Sequence, residues 1–423
     1  MKIRIIRCLA VFLCIILLSG CNGKTENTGS ELSNESFEEE SSEISENSQH
    51  IVPPGIVVPE SSEVRIPKKA TAEDLAKLQD YEKKYFVKKL TAEQKYRFVE
   101  LYSAVMDFKE SVVFDTPTTD DELTLLMILL NYDCPELIQV TGDYFPEYGP
   151  DEDVTGVKFS YCMKENEYEP AVKKLDTYIG IMKQKTEGKS EYEKEKIVYD
   201  DIFTNAKYEE VNDHSGSIYG TLCKHFARCE GFSKSFEWVM RKLGFECLTV
   251  IGTQAWNVTS VYSNHSWNIV RIEGDYYNVD LTADNTTWTS DHCNPPNYGF
   301  LNTTDDMTMH QRTIDPQLIM LGVPVCKTDT LNYHIQNGLY LKDGEGTKEN
   351  MTELFRTHDT ADGIYDLSIK YESYDEFKKA NEYARAAIDQ YSLNETTTNY
   401  KYVIYFNTLS RTLVFDRMIE TGG

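Results

Sequence analysis

Hydrophobic positions along the chain change period several times, and each change marks an element. Residues 10–18 form one continuous apolar run behind Lys2, Arg4 and Arg7, too short for a comfortable membrane span. From residue 22 to about 66 apolar positions nearly vanish. Glu, Ser, Asn and Thr dominate there, with the run Glu38-Glu39-Glu40, and predict a disordered tether stiffened at its end by Pro53, Pro54 and Pro59. Over 71–109, Leu75, Leu78, Tyr81 and Tyr85, then Phe98, Leu101 and Met106, predict a helical stretch opened by Thr71 and Glu73. Thr119 precedes a second helix carrying Leu123, Leu125, Leu126 and Ile128. Residues 131–165 switch to turns and strands. Helices are expected again at 169–184 and 192–203, the latter with Ile197, Val198, Ile202 and Phe203 on its apolar face.

Phe232, Phe236, Val239, Met240 and Leu243 follow Cys229 at helical spacing, and Gly244 stops the pattern. Cys229 therefore falls in the first turn of a helix. Unpaired N–H groups and the helix dipole there favour a thiolate over a thiol. Residues 244–252 read as turn and strand. From His265 the period becomes two: His265, Trp267, Ile269 and Arg271 share one face, and Ser266, Asn268, Val270 and Ile272 the other. A two-residue turn at Glu273-Gly274 pairs Trp267 with Asp280 and His265 with Thr282, and sets Asp280 diagonal to His265 within side-chain reach. A turn at Gly274-Asp275 pairs Asp280 with Ile269 instead and takes the carboxylate out of reach. Beyond residue 330, strands at 339–341, 365–370, 402–406 and 412–415 and a helix at 377–388 predict a small α+β unit.

The chain has 69 acidic and 43 basic residues, a net charge of -26, which argues against nucleic acid as a partner, because phosphate binding needs concentrated Lys and Arg. The sequence Leu18-Ser19-Gly20-Cys21 resembles a bacterial lipoprotein processing site. That resemblance implies a leader at 1–20, lipid attachment at Cys21, and a place on the outer face of the cytoplasmic membrane. Cys134, Cys162, Cys223, Cys229, Cys247, Cys293 and Cys326 remain, an odd number that leaves a thiol without an internal partner. Cys223, His225 and Cys229 lie close together, but no second cluster has zinc-site spacing, and no complete EF-hand loop is present; no metal or other cofactor is expected.

Three segments together resemble the transglutaminase-like superfamily: Arg228-Cys229-Glu230-Gly231-Phe232, His265-Ser266-Trp267-Asn268, and Tyr277-Asn278-Val279-Asp280. The resemblance implies an α+β fold with a papain-like core over 190–310. A mainly helical region at 67–189 precedes it and an accessory α+β region at 311–423 follows. It implies Cys229 as nucleophile, His265 as base and Asp280 as orienter, with a thiol–imidazole approach of about 4 Å. Tyr219, in a Tyr-Gly pair similar to an upstream element of such cores, is a candidate cleft or oxyanion residue. Trp267 is a candidate shield for the His–Asp bond. His214 and His225 are rival bases, and His310 matches no catalytic position.

A Cys-His-Asp set suits acyl transfer. The expected activity is a cysteine peptidase or amidase acting on peptide or protein substrates, cell-wall peptide among them. A glutamine transglutaminase is the alternative with an amine acceptor. A noncatalytic surface module that binds protein or carbohydrate is the alternative without chemistry. Oligomeric state is not legible in the sequence.

Overall fold

Asp133 and Arg241 meet in the interior, and much of the architecture follows from how the chain surrounds them. The computed structural model describes residues 68–210, 212–255, 262–285, 297–358, 366–395 and 400–419. The leader, Cys21, the tether, Trp256, Trp288 and Cys293 lie outside the described residues. From Lys68 onward the described residues belong to one compact unit. Among them, no helix is long and apolar enough to cross a membrane.

The helical stretch expected over 71–109 is broken. A short helix, Ala72–Leu75, and two 3-10 turns, Tyr81–Lys83 and Val87–Lys89, precede a true helix at Ala92–Met106. The Asp133 carboxylate accepts from the amides of Phe86 (3.0 Å) and Val87 (2.9 Å), and buried Lys84 pairs with Glu136 at 2.6 Å. Side chains from elsewhere thus satisfy groups that a continuous helix would have paired within itself. The helix Asp120–Tyr132 forms as expected, its start capped by Thr119. Ser111–Thr118, Val154–Tyr161 and Val140–Tyr148 make a three-stranded antiparallel sheet in that order.

Helices Glu165–Lys185 and Glu191–Asn205 lead to a short helix, Ile218–Lys224, and then to Cys229–Lys242. Every residue from Cys229 to Arg241 is buried. Phe232, Phe236, Val239 and Met240 enter the central apolar cluster. The polar side of the helix is covered as well. Glu230 pairs with Lys234 at 3.1 Å and accepts from Asn131 at 2.6 Å; Arg241 pairs with Glu237 at 2.5 Å and with Asp133. Asn131 and Asp133 come from the end of the Asp120–Tyr132 helix and just beyond it, so the amino-terminal region supplies the lid of the polar stripe.

This helix packs on a four-stranded antiparallel sheet ordered Asp275–Val279, Ser263–Ile272, Cys247–Gln254, Arg312–Ile314. Cys247, Val270, Ile272, Tyr277 and Val279 join the central cluster, while Leu248, Val250, Trp267 and Ile269 on the other face join the amino-terminal one. Glu273 (φ 52°) and Gly274 (φ 96°) both lie in the left-handed region, as a type I′ turn requires. The ladder pairs Asn268 with Val279 and Ile272 with Asp275, which is the Glu-Gly register. The strand ends at Val279, however. Leu281–Asn285 is helical, so the expected pairing of His265 with Thr282 does not form. Asp280 accepts the first bonds of that helix: Asp284 N–H donates to its carbonyl at 3.3 Å and Ala283 N–H to its carboxylate at 2.9 Å.

The carboxyl-terminal sheet runs Tyr340–Leu341, Asp366–Tyr371, Thr412–Ile419, Tyr400–Asn407, with helices Lys348–His358 and Tyr374–Glu395. Lys370, from its second strand, is buried and donates to the carbonyls of Gly299 (2.6 Å) and Ser410 (3.0 Å).

Truncating Asp133 leaves the buried Arg241 guanidinium with Glu237 alone as its carboxylate partner, and strips the Phe86 and Val87 amides of their acceptor. Asp133→Ala should cost roughly 3–5 kcal/mol. The urea midpoint should fall with the slope unchanged; an unshifted midpoint would show that the network contributes nothing to stability.

Candidate active site

Cys229 is the first residue of its helix, behind Arg228 in extended conformation (φ -94°), whose amide donates to Ser215 O at 2.9 Å. The thiol is buried. The backbone and hydroxyl of Ser266 lie near enough to it to draw its pKa down. Ser266 Oγ lies 2.9 Å from Ser233 Oγ, and Asn268 Nδ2 donates to Ser233 O at 2.9 Å, so these two hydrogen bonds join this helix to the strand. The thiolate expected from first-turn placement is not favoured in this state. Burial pushes the Cys229 thiol up to about 12, and neighbouring Glu230 acts in the same direction; Ser266 and Arg228 pull back and lose. Glu230 itself is held below the usual carboxyl range, against its burial, by Lys234 and Arg228.

His265 stands beside Ser266 on the same strand, on the opposite face of the pleat. Its cross-strand partner is Gly252. A side chain at Gly252 would meet Thr313 O at 1.8 Å, so only glycine lets the Arg312–Ile314 strand close against the sheet here. His265 Nε2 lies 2.7 Å from Asp280 Oδ2, with both groups buried. Burial works against ionisation of Asp280, but His265 and Arg312 outweigh it and hold the carboxyl at about 2. An ionised carboxylate only accepts, so the network assigns the shared proton to Nε2.

Trp267 lies over the imidazole, ring centroids 6.1 Å apart and planes 16° from parallel, and its indole N–H donates to Asn278 Oδ1 at 3.2 Å. Tyr219 is packed in the central cluster; its hydroxyl accepts from Lys174 at 3.5 Å and its ring meets the edge of His214. Of the rival bases, His214 Nδ1 sits 3.8 Å from Cys162 Sγ, and His225 caps the Ile218–Lys224 helix in left-handed conformation. His310 lies in the turn Met309–Gln311.

The structure therefore joins His265 to Asp280, and sets Cys229 near Ser266, the residue next to His265. It also adds a group that pattern reading missed. Arg312 Nη2 lies 2.7 Å from the same Asp280 oxygen that faces His265. Arg312 belongs to a three-residue strand more than thirty positions downstream, with no periodicity long enough to announce it.

Residues 181–281 match the family model of the transglutaminase-like superfamily, a span that holds Cys229, His265 and Asp280. The chain contains a transglutaminase-like domain. The superfamily's fold is papain-like, in keeping with the helix-on-antiparallel-sheet core described above. Two solved structures are also similar. One is a candidate cysteine protease from Cytophaga hutchinsonii (13% identity, TM-score 0.22, covering 31% of this chain and 51% of that one). The other is a TGase (13% identity, TM-score 0.25, covering 43% and 52%). The chain spans about half the length of each. No curated protein matches it.

Because Cys229 is a buried thiol held up at about 12, its alkylation by iodoacetamide at pH 7 should be slower than that of an ordinary exposed cysteine and should rise continuously into the alkaline range. Mass mapping of the modified thiols checks this. Fast labelling at pH 6 would mean that the thiol ionises far more readily in solution than its packing allows.

Proposed function

We propose that the transglutaminase-like domain is a thiol-dependent acyl-transfer enzyme, most simply a cysteine peptidase or amidase acting on peptide or protein amides, with cell-wall peptide among the candidate substrates. The single observation that carries this reading is the buried 2.7 Å contact between His265 and Asp280, one residue from the site where Cys229 meets the strand. In this reading Cys229 Sγ attacks the substrate carbonyl carbon while its proton passes to His265 Nδ1. The carbonyl electrons move to oxygen, and backbone N–H groups at the start of the Cys229 helix stabilise the resulting oxyanion. Collapse breaks the C–N bond, and the proton on Nδ1 leaves with the amine. Water then cleaves the thioester, or an amine takes the acyl group, which would make the enzyme a transglutaminase. A buried thiol implies that deprotonation accompanies attack rather than preceding it.

One observation favours a second reading, a noncatalytic surface module that binds protein or carbohydrate: the thiol is shielded and raised rather than activated. Single-turnover labelling with an activated peptide ester separates the two. Wild-type protein should acylate at one thiol, Cys229→Ala not at all, and folded Asp280→Asn about two to four orders of magnitude more slowly. Labelling of Asp280→Asn at the wild-type rate would reduce Asp280 to a structural residue. Failure of the wild type to label would leave the binding module standing.

We also propose that the domain is held at the bacterial cell surface by lipid on Cys21, a reading that rests on the sequence alone. Cys21→Ser should move the protein from the membrane fraction to the medium; unchanged membrane retention would refute the anchor.

A further inference from the structure

Arg312 is a buried cation with nothing in the proposed chemistry to account for it. It is 6% exposed, and its strand is the edge of the core sheet, pairing Arg312 with Gln254. The guanidinium lies between two aromatic faces, 5.1 Å from the Trp267 ring and 4.7 Å from the Phe300 ring. Among the described residues neither Nη1 nor Nη2 has a directional hydrogen bond, so the 2.7 Å approach to Asp280 Oδ2 is an ionic contact. Removing an arginine from water is costly, and isolated burial of this kind persists only beside a compensating charge. Here the compensating charge is Asp280. The same oxygen faces His265 Nε2, while Oδ1 takes the amide of Ala283.

We propose that Arg312 is a positioning residue: its fixed charge keeps buried Asp280 a carboxylate, so that Asp280 acts on His265 only as an acceptor. The inference deepens the acyl-transfer reading and rests on it for its catalytic meaning. A neutral imidazole contributes no net charge to Asp280. Without Arg312 the only cation against the carboxylate would be an imidazolium, and a resting site with a neutral base would face a carboxyl drawn towards protonation by burial. A protonated Asp280 would donate to Nε2, place the ring proton on Nδ1, and remove the lone pair that the thiol needs. Arg312 prevents that inversion. It also leans on Trp267, which covers His265, so the cation, the carboxylate and the ring share one packed layer.

Other charges surround this layer. Asp284, one turn after Asp280, is bound by Tyr199 and by the amide of Phe300 (3.0 Å). Lys370 Nζ lies 5.7 Å from the Phe300 ring. His310 precedes Arg312 by two residues, and Arg228 and Glu230 flank the thiol. None of them stands in direct contact with Asp280 among the described residues except Asp284, through its backbone. Burial lifts the Asp284 carboxyl to about 7, so it supplies little negative charge of its own below neutrality.

The experiment compares Arg312→Met, which keeps bulk without charge, with Arg312→Lys, which keeps charge, in the full chain, with circular dichroism checking the fold. The first readout needs no activity. Carbon-13 NMR of the aspartate carboxyls, with Asp280 assigned by its loss in Asp280→Asn, should show the Asp280 titration moving upward in Arg312→Met by one pH unit or more, a tenfold gain in proton affinity. Arg312→Lys should stay near the wild type. The second readout is acylation by the activated ester. Arg312→Met should lower its rate about ten- to a hundredfold and add nothing in the Asp280→Asn background, because the effect runs through that carboxylate. An Asp280 titration that does not move in folded Arg312→Met overturns the proposal. So does a folded Arg312→Lys that titrates like Arg312→Met, or a further rate loss in the double variant. If Arg312→Met does not fold, Arg312→Gln takes its place with the same outcomes. A wild type that never acylates, yet shows the Arg312-dependent titration, would fail the enzyme reading and leave the electrostatic one intact.

Discussion

The helix Cys229–Lys242 is buried on both sides, and that constraint organises the molecule. Its apolar stripe behaves as any core stripe does. Its polar stripe does not, because Glu230, Lys234, Glu237 and Arg241 are all buried. Charges taken out of water need partners with good geometry, and helical i,i+4 spacing supplies two pairs from within. The remaining groups of those pairs are met by Asn131 and Asp133. The amino-terminal region is therefore part of the helix's solvation. Asp133 in turn holds the amides of Phe86 and Val87.

Burial acts in opposite directions on the site's own groups. It raises the thiol, because the thiolate loses hydration and Glu230 stands beside it. It strengthens the His265–Asp280–Arg312 set, because opposite charges in a water-poor layer interact over a smaller effective dielectric. Which effect wins differs by residue. Asp280 has a cation in contact and stays ionised; at Cys229 burial and Glu230 outweigh Ser266 and Arg228, and the thiol stays protonated. The resting arrangement thus sets a protonated thiol, not a thiolate, beside an oriented imidazole.

Much of this was legible in the sequence. The spacing of Phe232, Phe236, Val239 and Met240 located the central helix, and the period of two from His265 located the strand. Periodicity reports which face is apolar, but it cannot report that a charged face will also be covered. In the 71–109 stretch the Phe86 and Val87 amides are held by Asp133, which lies far along the chain and leaves no local sign. The carboxyl-terminal strands and helix were found at nearly their positions, since each carries its own run. The short strands Tyr340–Leu341 and Arg312–Ile314 have too few residues for a period to be read reliably; the first was expected, and the second, with its arginine, was not.

The position of Asp280 shows how a local rule sets a distant contact. Two left-handed residues at Glu273-Gly274 give a turn whose twist matches the strands, and this choice fixes which residues face each other along the whole ladder. With Asn268 opposite Val279, the next step along each strand brings Trp267 level with Asp280, on the face that His265 shares. Ending the strand at Val279 then frees Asp280 from the ladder. Its backbone carbonyl can start the Leu281–Asn285 helix, while its carboxylate takes the Ala283 amide on one oxygen and turns the other to His265. The register already sets Asp280 diagonal to His265, within side-chain reach. The helix start adds a second fixed point, the Ala283 amide on Oδ1, so the carboxylate that meets His265 through Oδ2 is held at both oxygens.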